Sequence, residues 1–406
     1  MTKGQARARR GALALALCLA LFGPTLAHAQ EGPVDLLGQY DIRMGGPGEF
    51  ANAGVSVDGA GDVNNDGTND VIVGAYGADV EEDAGEGRAF VVFGTPSPGA
   101  FTLASATEGF AIDGADEEDS TGAAVAGVGD VNNDGLDDVA VAASDADENA
   151  RALSGSVYVV FGKSNTTTVD LAALGAGGFR IDGAASLDRL GIDGALDGAG
   201  DVNNDDLDDI VIGARNADNN TRTDSGSSYV VFGKASGTTV DLASLGAQGY
   251  RIDGAAANDS SGYDVAGGFD VDDDNIPDVI IGSGRVDNNT RTNSGSAYVV
   301  FGKATTTTVD LGSLGAAGYR IDGSVAGEGV GDDVGMARNI DGDGKAELII
   351  GAPDADHGGE DSGSTYVVFA RALRPRWTSR RSEPRGSALM ARPVRKPGSR
   401  WGPRET

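Results

Sequence analysis

The sequence predicts an all-β chain built as a β-propeller, and three observations predict it. A phrase of the form Tyr-Arg-Ile-Asp-Gly recurs with its isoleucine at Ile42, Ile112, Ile181, Ile252 and Ile321, about 70 residues apart each time. Glycine supplies 65 of 406 residues, far above the usual share of roughly 7%, while large apolar residues are few. One nine-residue loop rich in Asp and Asn returns at the same place in every unit. Self-similarity at a fixed period means that each unit is one supersecondary piece that cannot bury its apolar faces alone.

The first element is an export leader. Lys3, Arg7, Arg9 and Arg10 precede an apolar run from Gly11 to Phe22, and Ala27-His28-Ala29 offers a small-residue cleavage site, so residues 1–29 read as a signal peptide cut after Ala29. The apolar run is only about a dozen residues, short of the roughly 18 to 20 that a spanning helix needs. No later segment approaches that length, so the mature chain is expected to be exported, with no membrane span; the destination is extracellular or the cell surface, with the periplasm as the variant. The single cysteine, Cys18, lies within the leader, which leaves no disulfide framework. A lipid anchor on Cys18 is the alternative, and Leu17 before it and the apolar run after it speak against that. His357 alone survives as a mature histidine, too few imidazoles for a zinc site or a His-dependent dyad or triad.

Residues 30–370 are the repeat region, in units of approximately 35–100, 101–170, 171–241, 242–310 and 311–370. Within one cycle, Phe110 to Gly114, Ala123 to Gly127, Asp138 to Ala142 and Ser156 to Phe161 read as four successive strands, expected to form one small antiparallel sheet. The third and fourth strands are continuous apolar runs, such as Val71-Ile72-Val73, Ile210-Val211-Ile212, Val91-Val92-Phe93 and Val230-Val231-Phe232, as expected where both faces are covered. Such sheets must stack on one another, radially or as a solenoid. Connectors like Lys234 to Gly249, with Val240-Asp241-Leu242 and Leu245, are long enough to run from one sheet's outer edge to the next sheet's inner edge, which favours the radial answer. No helix longer than a turn or two is expected.

The loop between the second and third strands carries the chemistry. Its first copy runs Asp62-Val63-Asn64-Asn65-Asp66-Gly67-Thr68-Asn69-Asp70. Counting along the nine positions, the candidate ligands at 1, 3, 5, 7 and 9 are Asp62, Asn64, Asp66, Thr68 and Asp70; Asp130, Asn132, Asp134, Leu136 and Asp138; Asp201, Asn203, Asp205, Leu207 and Asp209; Asp270, Asp272, Asp274, Ile276 and Asp278; and Asn339, Asp341, Asp343, Lys345 and Glu347. Position 7 enters through its backbone carbonyl. Oxygen ligands in that number suit Ca²⁺, up to five ions, better than Mg²⁺ with its stricter octahedron, and the closing acid at position 9 separates the loop from an EF-hand, which closes at position 12.

Position 6 requires a left-handed backbone, which Gly67, Gly135 and Gly344 supply and Asn275 tolerates; Asp206 is the odd residue, expected to bind with strain. Without metal, carboxylates about 4 to 6 Å apart repel by roughly 1 kcal/mol per pair in water and more at lower dielectric. Calcium at ten times its dissociation constant would stabilise the fold by about 1.4 kcal/mol per site, on the order of 7 kcal/mol for five. That is comparable to a domain's net stability, so calcium is expected to replace the missing disulfides.

These residues resemble the FG-GAP repeats of the integrin α-chain N-terminal propeller and its bacterial relatives. Phe-Gly pairs stand at Phe93-Gly94, Phe161-Gly162, Phe232-Gly233 and Phe301-Gly302, with Gly-Ala-Pro at Gly351-Ala352-Pro353 and looser versions at Gly74-Ala75-Tyr76, Gly213-Ala214-Arg215 and Gly282-Ser283-Gly284; the second unit has Ala142-Ala143-Ser144. The resemblance covers Asp35 to Phe369. It implies a propeller of about 70-residue, four-stranded blades, with calcium in loops on one face and ligand contacts on the other. The segments Asp113 to Thr121, Asp182 to Leu190, Asp253 to Gly262 and Asp322 to Asp333 would then be the recognition loops. The family shows seven blades where this chain shows five. An open five-blade array would leave a blade face uncovered and invite oligomerisation.

Where the fifth unit should read Phe-Gly-Lys it reads Phe369-Ala370-Arg371, and residues 371–406 turn into Arg, Pro, Ser and Trp without a repeat. This tail reads as a disordered or frame-shifted end, or alternatively as a basic arm for an acidic surface or nucleic acid. The net charge of -31 is thus concentrated in a body more acidic still, a field that repels nucleic acid and anionic lipid. The function this predicts is a non-catalytic, calcium-dependent extracellular binding or adhesion module for a protein or glycan. A structural or truncated array that binds calcium alone is the second reading. A carboxylate-pair hydrolase is the third, opposed by acids that repeat fivefold where an active site needs one unique constellation. Asn165-Thr166-Thr167 and Asn219-Asn220-Thr221 match the glycosylation pattern but are common in such loops.

Overall fold

The computed structural model describes residues 42–78, 85–94, 99–103 and 108–369. The predicted leader 1–29 and the tail 371–406 lie outside the described residues. Internal contacts divide the chain into two units, Met1–Arg43 and Met44–Thr406. Of the first, only Ile42 and Arg43 are described, at the start of the strand Ile42–Gly45. The second holds five sheets of three or more mainly antiparallel strands, with 41% of the chain in strand and 5% in helix. The helical part is confined to single 3-10 turns among the described residues, such as Leu171–Ala173, Leu242–Ser244 and Leu311–Ser313, each capped by the preceding Asp. No helix among them is long and apolar enough to cross a membrane.

The strands group differently from the sequence expectation. Gly109–Asp113 does not join the three strands that follow it; it pairs with Arg88–Val92 and completes the preceding sheet. The first sheet is therefore Val57–Gly61, Asp70–Ala75, Arg88–Val92 and Gly109–Asp113 in spatial order, with the short Val169–Asp170 added parallel to its outer edge. The second sheet repeats this with Thr121–Gly129, Asp138–Ala143, Ser156–Val160 and Gly178–Asp182, and the third with Leu196–Gly200, Asp209–Ala214, Ser227–Val231 and Gly249–Asp253. Val265–Phe269, Asp278–Ser283, Ser296–Val300 and Gly318–Asp322 form the fourth, and Val334–Arg338, Ala346–Ala352 and Ser364–Phe369 the fifth. The physical reason is the repeat's phase: the Ile-Asp-Gly strand follows a connector that leaves it at the outer edge of the sheet already built.

Neighbouring sheets stack through alternate side chains of each strand. Val139 and Val141 pack with Ile72, Val91 and Ile112 of the first sheet, while Ala140, Ala142 and Val157 pack with Ile210, Ile212 and Tyr229 of the third. The same alternation joins the third sheet to the fourth and the fourth to the fifth. Continuous apolar runs thus arise because both faces of a strand are buried, at about 1.5 to 3 kcal/mol for each fully buried Val, Leu, Ile or Phe. The first strands of successive sheets lie against one another in series. Glycines make this approach feasible: a Cβ on Gly127 would stand 2.2 Å from the Gly59 carbonyl oxygen, and one on Gly267 2.9 Å from that of Gly198. The terminal sheets are less covered. Phe50 and Val57 are 86% and 64% exposed beside the first, and Val367 and Phe369 are exposed on the fifth.

Candidate metal centres

The first four acidic loops begin where the first strand of the sheet breaks register. A one-residue irregularity falls at Gly59/Gly61, Gly127/Gly129, Gly198/Gly200 and Ala266/Phe269, with Gly61, Gly129, Gly200 and Gly268 at φ of 66 to 86°. A bulge of this kind turns the chain out of the ladder and into the loop. The fifth sheet has Ala337 and Arg338 there, keeps its register through Arg338, and enters its loop with Asn339 itself at φ 50°.

Within the loops the carboxylates curl the backbone. Asp62 accepts from the N–H of Asp66 and Gly67, both at 2.9 Å, Asp130 from those of Asp134 and Gly135, and Asp201 from those of Asp205 and Asp206. Asp270 does the same with Asp274 and Asn275, and Asn339 with Gly344. At position 5, Asp66, Asp134, Asp205, Asp274 and Asp343 each accept from the N–H of position 7 at 2.9 to 3.1 Å. Position 6 is left-handed in all five copies, including Asp206 and Asn275, both at φ 68°. Position 4 is left-handed as well, at Asn65, Asn133, Asn204, Asp273 and Gly342. The signal for that second turn was an unbroken choice of Asn, Asp or Gly, the residues that accept this conformation.

The acid at position 9 has a second role that the sequence reading missed. Asp138 accepts from the N–H of Val131 at 3.0 Å and from that of Gly162, the glycine of Phe-Gly, at 2.7 Å. Asp70, Asp209 and Asp278 make the same pair of bonds with Val63 and Gly94, Val202 and Gly233, and Val271 and Gly302. The glycine is required for close approach: a Cβ on Gly233 would stand 2.4 Å from the Asp208 carbonyl oxygen. Burial pushes Asp138 and Asp209 up to about 8 and Asp278 to about 7, reinforced by the acids at positions 1 and 3 or 5 and opposed by these N–H bonds. Glu347, in the fifth loop, bonds the N–H of Ile340, while its Oε1 is buried without a partner among the described residues.

In the fourth loop Asp270, Asp272 and Asp278 bring carboxylate oxygens within 4.8 Å of one another, and in the fifth Asp341, Asp343 and Glu347 do so. Asp272 Oδ1 is buried there without a hydrogen-bond partner among the described residues. Three hard oxygens converging in each of these two loops, with one buried carboxylate oxygen per loop otherwise unsatisfied among the described residues, fit a calcium-sized cation. The first three loops carry Asn at position 3, and Asn132 and Asn203 spend their Nδ2 on Asp138 and Asp209, both at 3.3 Å. Leu136, Leu207 and Ile276 offer only backbone at position 7; the Thr68 hydroxyl donates to Asp66 of its own loop, and the Lys345 side chain reaches Asp273 of the fourth loop at 3.0 Å.

Position 8 ties the loops together across sheets, which the sequence reading also missed. Asp137 accepts from the N–H of Asp62 at 2.6 Å, and Asp208 from that of Asp130 at 3.0 Å. At the next junction Pro277 lies against Gly200 instead.

The loops after Ile-Asp-Gly sit at the opposite strand ends, since Ala75, Arg88 and Asp113 are paired at one end of the first sheet and Val71, Val92 and Gly109 towards the other. Each holds a buried acid. Asp188 accepts from the Ala185 N–H at 3.0 Å, Asp259 from that of Ala256 at 2.8 Å, and Glu328 from those of Ser324 and Val325.

Comparison with known proteins matches the FG-GAP repeat to residues 121–160 and 330–368. The chain is 30% identical over 162 residues, 40% of its length, to integrin alpha-3 of Cricetulus griseus, and 27% identical over 155 residues, 38% of its length, to integrin alpha-6 of Gallus gallus. These matches span 14% and 12% of the relatives' own lengths.

Proposed function

Because the chain is an FG-GAP repeat protein of the integrin-α-like kind, we propose that it is a secreted, calcium-binding β-propeller that serves as an extracellular binding or adhesion module and performs no catalysis of its own. In this reading the leader 1–29 is removed, residues 30–370 are the repeat array, and residues 371–406 form a separate basic tail. The observation that carries the proposal is the convergence of carboxylates in the fourth and fifth loops, on a scaffold that recurs in five sheets. Calcium would be held by positions 1, 3, 5 and 9 and the carbonyl of position 7, and would neutralise acids that otherwise repel. The partner is an extracellular protein or glycan that meets the loops Asp113 to Thr121, Asp182 to Leu190, Asp253 to Gly262 and Asp322 to Asp333. The acidic body disfavours nucleic acid.

Calorimetric titration of the chelator-stripped chain with calcium, and with magnesium as control, tests the metal half of the proposal. Saturable calcium uptake that Asp270→Asn and Asp341→Asn each reduce supports it; uptake unchanged by both variants, or equal uptake of magnesium, contradicts it. A solid-phase screen against matrix proteins and glycans, with and without chelator, tests the binding half. Calcium-dependent capture of one ligand supports the module; silence throughout favours an array that binds calcium alone.

A further inference from the structure

On the side away from the acidic loops, Asp119 lines a cleft of about 540 Å³ whose other walls include Asp116, Glu117, Glu118, Asp145 and Asp147, with Arg189 the single basic residue lining it among the described residues. Asp119 is only 7% exposed, and among the described residues no N–H, hydroxyl or cation meets its carboxylate. Its counterparts in the next three units are all satisfied by an N–H of their own loop. The neighbouring acids have partners too: Asp145 accepts from Ser120 Oγ at 2.8 Å and faces Arg189 at 3.3 Å, Asp147 accepts from the Leu153 N–H at 2.6 Å, and Glu148 pairs with Arg180 at 2.6 Å. Burial, with Asp116, Glu148, Asp147 and Asp145 around it, pushes Asp119 up to about 7, the direction expected of a carboxylate that has only acids for charged neighbours.

The shape of the cluster identifies the cation. In the fourth and fifth loops three carboxylates converge within 4.8 Å, whereas among the described residues the acids of this cleft form no such group. Negative charge spread along a cavity far larger than a bare ion matches positive charge that is spread as well, and Leu153 on the wall offers contact to methylenes between the charges. We propose that this cleft binds a linear polyamine, with one ammonium group on Asp119 and the others on the outer acids Asp116, Glu117 and Glu118. The proposal rests on the reading of this face as the ligand side and names the ligand's chemistry.

The test is calorimetric titration of the full chain, in saturating calcium and low salt, with spermidine. One saturable site per chain is expected, weakened about tenfold by Asp119→Asn and about threefold by Glu117→Gln at the exposed rim, and unchanged by Asp188→Asn. Asp119→Asn relieves repulsion and should melt no lower than the parent, and Glu117 is too exposed to matter for folding. Absence of a saturable heat overturns the proposal. So does full affinity in Asp119→Asn, or loss of the spermidine heat when calcium is raised to match spermidine, which would make the cleft a point-cation site. Failure of the calcium loops would show instead as calcium-independent melting and would leave the spermidine isotherm in place.

Discussion

At the scale of single residues, the fold depends on an acid and a glycine 24 positions apart. Position 9 of each of the first four loops bonds the Phe-Gly glycine, so the two named features of the repeat are one contact. Gly233→Ala places a methyl group against the Asp208 and Val131 carbonyl oxygens. It should cost about 1 to 3 kcal/mol, as overpacking does, and lower the melting temperature with or without calcium. Asp206→Gly should have the opposite sign, because it releases a non-glycine residue from a left-handed backbone. Thermal unfolding of both variants against the parent checks the pair. The left-handed need at position 6 was legible because Gly, Asn and Asp alternate there. The bond from position 9 to Phe-Gly was hidden, although the constant spacing of 24 was present, because spacing does not say which atoms meet.

At the scale of strands and loops, neighbouring sheets are joined by carboxylates that accept backbone N–H groups across the junction. Asp137→Ala and Asp208→Ala each leave an N–H of the preceding loop without its acceptor, and each should cost about 1 to 3 kcal/mol in chemical denaturation. Pro277→Ala, at the junction that lacks this bond, should cost less. On the inner strands Asp264 accepts from the Val334 N–H at 2.7 Å, and burial pushes it up to about 7. A carboxyl raised in the folded state contributes stability that is complete below its unfolded value near 4 and is lost as pH rises through about 7. Asp264→Asn should therefore gain on the parent between pH 4 and pH 7, read as a growing difference in melting temperature in saturating calcium. The four strands of each cycle were legible from apolar runs, because local pattern sets local structure. Their assignment to sheets was not: Gly109–Asp113 and its repeats close the preceding sheet, a long-range choice that periodicity leaves open.

At the scale of the whole chain, five sheets stack in series through shared apolar layers, with no disulfide and a net charge of -31. Such an array is held by burial and opposed by its own charge, and the acidic loops are where the opposition is densest. Calcium, proposed at those loops, would convert repulsion into ligation, which makes it the element to test first. The most direct test is thermal unfolding of the full chain across a calcium titration, with magnesium and chelator as controls. The account predicts a large rise in melting temperature that calcium produces, magnesium does not reproduce, and Asp270→Asn with Asp341→Asn diminishes. An unchanged melting temperature from chelator to saturating calcium would contradict it.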